Sequence, residues 1–268
     1  TAPVHACAST LLAIVKSLKP PARQPSRAKG KLRCVGPAVE TAIAIAAASS
    51  RKAAPSPLGT QGSSAPAATD RVIVLLGGPA TCGPGVAEAG EEEEDKEGVA
   101  EDVEEDEATQ YYATVGLRSR MLGVAVDVFA VSSLGVGVRR LQALTSACGG
   151  ETVVHATFGD AFQQSLAYSA QGAGTGGRSR GVVDFKSSPQ VDFLRIIGPL
   201  VPPASKDEES LAETLPNLAM SPALEERHAF TCIFQLSEDV SDDYVFFQVA
   251  TAHTAATGER ILRVSTQR

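Results

Sequence analysis

The residues with the densest capacity for chemistry lie in one loop, Gly77-Gly78-Pro79-Ala80-Thr81-Cys82-Gly83-Pro84-Gly85, directly after an apolar run. Nucleotide phosphates often sit in a glycine loop behind a buried strand, because glycine lets backbone N–H groups approach an anion. Gly78 and Gly83 have P-loop spacing, but Pro84 stands where the phosphate-binding lysine is required, and no Ser or Thr follows to hold magnesium. Two prolines also remove two N–H donors. The loop therefore reads as a rigid shape and not as a phosphate cradle. Gly172, Gly174 and Gly177 match GxGxxG by spacing, but a helix precedes them and a strand follows, the reverse of the dinucleotide fingerprint, so they read as a linker.

Nucleophilic catalysis needs a Ser or Cys in a tight turn with a His partner. His5, His155, His228 and His253 are each isolated, with no HExxH or GxSxG nearby. Cys82 sits in the glycine loop, yet nothing adjacent in sequence would depress its pKa, so it reads as an inert thiol. The five cysteines (Cys7, Cys34, Cys82, Cys148, Cys232) are scattered singly with no CxxC pair, which fits neither a disulfide framework nor a zinc ribbon and suggests a reducing compartment. No DxSxS sequence occurs, so no metal-ion adhesion site can be assembled. No catalytic, cofactor-binding or metal-ligating residue is assigned in this chain.

The 268 residues carry a net charge of −7, which conceals its distribution. Between Glu88 and Glu107 there are 13 acids and one Lys, so that window carries −12 and the rest of the chain +5. The acidic run could chelate calcium or contact a basic partner, but low hydrophobicity and self-repulsion favour a solvated loop. Lys16, Lys19, Arg23, Arg27, Lys29, Lys31 and Arg33 could face anionic lipid or nucleic acid. No aromatic is interleaved with them and the chain has no Trp, so nucleic acid is the weaker partner. The longest nearly apolar stretch, Ala42 to Ala48, is too short to span a bilayer. The first residues lack the basic start and the cleavage site of a signal peptide, and an initial Thr suggests a processed or incomplete piece.

The elements that must hold the loop follow from periodicity. Residues 7–18 and 36–49 read as helices, the first stopped by Pro20-Pro21 and the second started at Gly36-Pro37. Residues 49–69 shift to Ser, Ala, Pro and Gly and read as a disordered insertion. Arg71 to Leu76 reads as a strand buried on both faces. A helix is predicted over 109–121, a strand over 123–130, helices over 135–147 and 158–168, and a strand over 152–155 between them. This order argues an α/β layer domain with a parallel sheet. After Gly177 the period changes to five strand-like runs, at 181–186, 190–197, 229–235, 244–249 and 260–264, which argue an antiparallel β sandwich or barrel. Residues 201–226 read as a long surface loop with at most one helical turn, and the domain boundary falls near Gly176.

The segments RVIVLLGGPATCGPG, KLRCVGPAVETAIAIAAA, GVAVDVFA, VVDFK, FLRIIGP and ERILRVSTQR occur in this chain in an order that resembles the inner-shell GTPase-activating subunit of the COPII vesicle coat (Sec-twenty-three type). The glycine loop is the specific part, since the related cargo-adaptor subunit (Sec-twenty-four type) has a different loop here. The resemblance spans most of residues 31–268. It implies that residues 1–176 are the later part of a von Willebrand A-like α/β trunk, with insertions near 49–69 and 87–107, and that residues 177–268 are most of a β-sandwich domain.

It further implies a coat component of ER-to-Golgi vesicle transport that binds a Sar-type small GTPase, the cargo-adaptor subunit and outer-coat subunits. Such a protein lies in the cytoplasm, peripherally on anionic ER membrane at exit sites and on vesicles. In that family an inserted arginine neutralises charge on the transferring phosphoryl group. That arginine belongs to a gelsolin-like domain downstream of residue 268, and the family's zinc is held by an upstream four-cysteine ribbon. None of Arg118, Arg120, Arg260 or Arg263 sits in a matching motif, so this stretch is expected to be a scaffold and not an enzyme. A free-standing α/β plus β-sandwich binding module without a coat role is the alternative, and a nucleotide-dependent enzyme stands third.

Overall fold

A computed structural model describes residues 4–17, 32–53, 70–86, 107–131, 136–171, 179–201, 217–225, 228–236, 244–254 and 259–268. One compact unit, Thr1–Leu32, holds helix α1 (Val4–Ser17), and a second, Arg33–Arg268, holds every later element described.

The run Val-Ala-Val-Asp-Val-Phe-Ala-Val has apolar groups on both sides of an extended chain, so it needs cover on both faces. It forms β2 (Val124–Val131), in which every residue is buried. β2 lies between two parallel neighbours, β1 (Asp70–Leu76) and β3 (Thr152–His155). Val124, Val126, Val128 and Ala130 share a core with three helices: α2 (Val35–Ala53), α3 (Glu107–Met121) and α4 (Val138–Cys148). Phe129 and Val131 alternate to the other side and meet Phe162 of α5 (Asp160–Gln171). A parallel sheet with helices on both faces is thus present, as the α/β reading required.

Local sequence explains the helices. Val35, Val39, Ile43 and Ala47 recur every fourth residue, so α2 lays one buried stripe on the sheet. α4 ends where Gly149 turns left-handed at φ 75° and donates its N–H to Thr145 O. α3 and α4 approach closely at Gly116, where a Cβ would stand 2.5 Å from Leu144 O.

Two expectations for this region are corrected. β1 is not buried on both faces: Val72, Val74 and Leu76 pack inward, while Ile73 and Leu75 are 39% and 55% exposed. Among the described residues β1 is an outer strand of its sheet, and its apolar composition does not distinguish that position from a central one. α2 runs to Ala53, so the low-complexity segment begins inside a helix, and α3 starts at Glu107, the last acid of the anionic window. The remainder of those insertions, 54–69 and 87–106, lies outside the described residues, as does the boundary near Gly176.

Beyond it six strands form antiparallel pairs: β4 (Ser179–Ser187), β5 (Val191–Ile197), β6 (Leu218–Leu224), β7 (Thr231–Leu236), β8 (Phe247–Thr254) and β9 (Arg260–Gln267). Their order is β6-β4-β8-β9 in one sheet and β5-β7 in the other. Phenylalanines join the sheets. Phe185 of β4 contacts Phe193 of β5, and Phe247 of β8 contacts Phe193 and Phe234, with centroids 5.1–6.3 Å apart.

β6 corrects the reading of 201–226 as a loop. Its last residues argue against a strand because Pro222 has no N–H for a ladder. Among the described residues β6 has β4 as its one strand neighbour, with a single bridge from Val201 to Met220, so that missing donor falls at a sheet edge, and Pro222 and Ala223 pack on Gly149 at the end of α4. Contact with the trunk, invisible to local pattern, makes this segment buried.

Candidate functional site

The glycine loop leaves the C-terminal end of β1, the side of a parallel sheet on which sites are usually built. It is held by Arg33, two residues before α2. Thr81 N–H and Cys82 N–H both donate to Arg33 O, at 2.9 and 3.3 Å, and Arg33 N–H donates to Thr81 Oγ1 at 2.7 Å. The Arg33 guanidinium donates to Gly77 O at 3.3 Å and covers Gly78, where a Cβ would meet it at 2.9 Å. Gly78 has φ 148°, Gly83 79° and Gly85 84°, so any L side chain would be strained at these three positions.

The opposite wall is aromatic. A Cβ on Gly85 would stand 2.8 Å from the Tyr112 ring, and one on Gly36 would meet Pro84 O at 2.5 Å and the Tyr111 ring at 2.6 Å. Tyr111 and Tyr112 pack edge to face, 5.4 Å apart. Burial pushes both phenols up to about 12, reinforced for Tyr111 by the carboxylate of Glu40, so both stay neutral at physiological pH.

This geometry argues against anion binding. Two of the loop's amides are spent on Arg33 O and two positions are proline, so four of its nine residues offer no free N–H to an anion. The loop instead presents a fixed outline with Gly77, Pro79, Thr81, Gly83 and Pro84 exposed. Fixed shape with exposed backbone suits recognition by another macromolecule.

The other residues singled out in the sequence are dispersed. His155 ends β3 against Phe162, His228 Nδ1 accepts the Glu225 N–H at 3.3 Å, and His253 lies in β8. No pair of them shares a site, and the side chain of His5 lies outside the described residues. Arg118 pairs with Glu40 at 3.5 Å, Arg120 is buried in α3, and Arg260 and Arg263 lie exposed on β9. Lys16 is exposed on α1, whereas Lys19, Arg23, Arg27, Lys29 and Lys31 lie outside the described residues. Among the described residues no three His, Cys, Asp or Glu side chains gather to hold a metal, and no helix is long and apolar enough to cross a membrane.

Sequence reasoning missed two features. Arg33, grouped with the basic stretch, is the loop's clamp. Cys34 and Cys82, 48 positions apart, are brought together: Cys82 N–H donates to the carbonyl just before Cys34, and Cys34 Sγ lies against Gly83. Two thiols without a third ligand do not fit a structural zinc site, which takes four. A third cluster is partly buried and structural: Arg71 donates to Asp127 and Ser169, Ser169 Oγ donates to Glu151 at 2.7 Å, and Glu151 N–H donates to Asp127 at 2.9 Å.

The same two-part architecture appears in known proteins. The sequence pattern of the Sec23/Sec24 trunk domain matches residues 2–169, and that of the Sec23/Sec24 beta-sandwich domain matches residues 178–268. The chain belongs to the Sec23/Sec24 family. It is 27% identical over 264 residues to "Protein transport protein SEC23 A" of Arabidopsis thaliana, covering 98% of this chain. It is 25% identical over 222 residues to "Protein transport protein SEC23 C" of the same plant, covering 75% of this chain. The chain spans 28% and 29% of those two relatives. Among solved structures, the human COPII-coat protein Sec24c superposes over 99% of this chain and 32% of its own, with a TM-score of 0.60 and 14% identity, a likeness of fold. Family membership thus agrees with the resemblance read from the glycine loop and its flanking strands.

Proposed function

We propose that this chain is the late-trunk and β-sandwich part of a COPII coat subunit of the activator type, acting in ER-to-Golgi transport as a scaffold. On this reading it offers binding surface to a Sar-type small GTPase and to the cargo-adaptor subunit, while acceleration of GTP hydrolysis belongs to the complete subunit. The observation that carries the proposal is the match of trunk and sandwich in sequence order to family domains, across nearly the whole chain, with relatives that are themselves transport proteins. The clamped loop supports it, because a rigid outline with exposed backbone fits partner recognition better than small-molecule chemistry. The slightly basic body outside the acidic window fits peripheral contact with anionic membrane.

Flotation of the chain with anionic liposomes carrying GTP-loaded Sar-type GTPase and the adaptor subunit tests this. Recovery with the liposomes that depends on the two proteins, together with an unchanged rate of GTP hydrolysis, is the expected outcome. Failure to float in their presence would refute the scaffold role, and accelerated hydrolysis would refute the assignment of catalysis to another part of the subunit.

A further inference from the structure

The pairing of Cys34 with Cys82 is a property of this chain that the coat function leaves unused. The two residues flank a backbone hydrogen bond: Cys82 N–H donates to the carbonyl immediately before Cys34, at 3.3 Å. The two backbones are thus in direct hydrogen-bond contact, so no large main-chain movement separates them from the Cα spacing of about 4.4–6.8 Å that a disulfide spans. Cys34 Sγ also lies 2.7 Å from the point where a Cβ on Gly83 would stand, so the absence of a side chain beside Cys82 makes room for that sulfur. Cys34 is exposed and Cys82 partly exposed, which lets a small oxidant reach them, whereas Cys148 is buried in the trunk core.

We infer that Cys34 and Cys82 form a peroxide-responsive dithiol that closes to a disulfide and locks the glycine loop covalently to the start of α2. The Cys34 sulfur, the more exposed, attacks one peroxide oxygen. The O–O bond breaks, the departing oxygen leaves as water with the thiol proton, and Cys34 becomes a sulfenic acid. The Cys82 sulfur then displaces the sulfenic oxygen, which departs as a second water carrying the Cys82 proton, and the S–S bond forms. Two thiols and one peroxide thus give one disulfide and two waters. Partial burial, with the neighbouring Cys34 adding to it, pushes the Cys82 thiol up, which suits a resolving thiol that stays protonated until its partner is oxidised.

The lock would act on the exposed loop and on the ring of chain from Cys34 to Cys82, and it stands independently of the coat assignment. The full reduced chain is treated with an equimolar amount of hydrogen peroxide, blocked with iodoacetamide and digested with trypsin. The expected product is residues 34–51 joined to residues 72–96, the main disulfide species. It vanishes on reduction and in Cys34→Ser, and the oxidised chain melts about 5 °C or more above the reduced one.

The same oxidation in concentrated guanidinium chloride should spread the cross-links over Cys7, Cys148 and Cys232. Recovery of Cys34 and Cys82 as separate alkylated or over-oxidised peptides from the native chain would overturn the inference. So would a cross-link pattern that is identical in native and denatured protein. Neither outcome depends on whether a variant folds.

Discussion

β2 and β9 are both eight-residue strands, yet all of β2 is buried and all of β9 is exposed. β2 has a parallel neighbour on each edge, helices α2, α3 and α4 against one face and α5 against the other. β9 pairs with β8 alone among the described residues, and Leu262 and Val264 are 69% and 53% exposed. The trunk strand is held by its own domain, whereas the sandwich strand offers an open edge and apolar side chains. Open edges of this kind are where further chain or a partner adds. That division, one region rigid from within and another left available, is consistent with the scaffold role proposed above.

The contrast is broken most sharply at Asp127, the one charge inside β2. Asp127→Ala would leave Arg71, only 12% exposed, with the exposed Glu151 at 3.8 Å as its remaining carboxylate, and removing one partner of a buried ion pair costs about 3–5 kcal/mol. Denaturant unfolding should show that loss, and a cost below about 1 kcal/mol would mean that the network does not hold β1, β2 and α5 together.

Gly150, just after α4, comes next. A Cβ there would overlap Val126 O, a backbone atom of β2 that cannot move aside, so Gly150→Ala should cost about 3 kcal/mol in the same measurement.

Alkaline pH offers a smaller and reversible probe of the same face. Tyr112 packs in the core with β2, and its phenol is raised from 10.0 to about 12. A group whose folded pKa is raised contributes its full stability below the unfolded value and loses it as pH climbs through the folded one. Stability should therefore be constant up to about pH 10 with respect to this group and fall between pH 10 and 12, followed as phenolate absorbance and unfolding together. Phenolate formation well below pH 12 with the fold intact would show that Tyr112 is not sealed in.

The smallest effect is expected on β9. Leu262→Lys should change stability by less than about 0.5 kcal/mol, since the side chain is already in water. A large loss would reveal that β9 is covered and would remove the contrast with β2.

Much of this architecture was legible in the chain. The apolar run 123–130 announced a strand of the parallel sheet, and Val39 and Ile43 announced the helix against it. β1 was misjudged because Ile73 and Leu75 look like core residues, and only sheet position makes them exposed. β6 was missed because the early prolines and the charges of 201–226 read as a loop, and the strand's own Pro222 is tolerated only because it lies at an edge. The loop's importance was visible in its glycines and prolines, but its clamp was not. Arg33 reads as one of several basic residues, and nothing local brings residue 34 to residue 82. Long-range pairing is set by how α2 docks beside β1, which short-range pattern does not encode.

The most direct test of the scaffold reading is size-exclusion chromatography of the purified chain mixed with the cargo-adaptor subunit. Co-elution as a single complex, distinct from both free proteins, is the expected result. Separate elution of the two at concentrations well above those of a stable coat pair would contradict it.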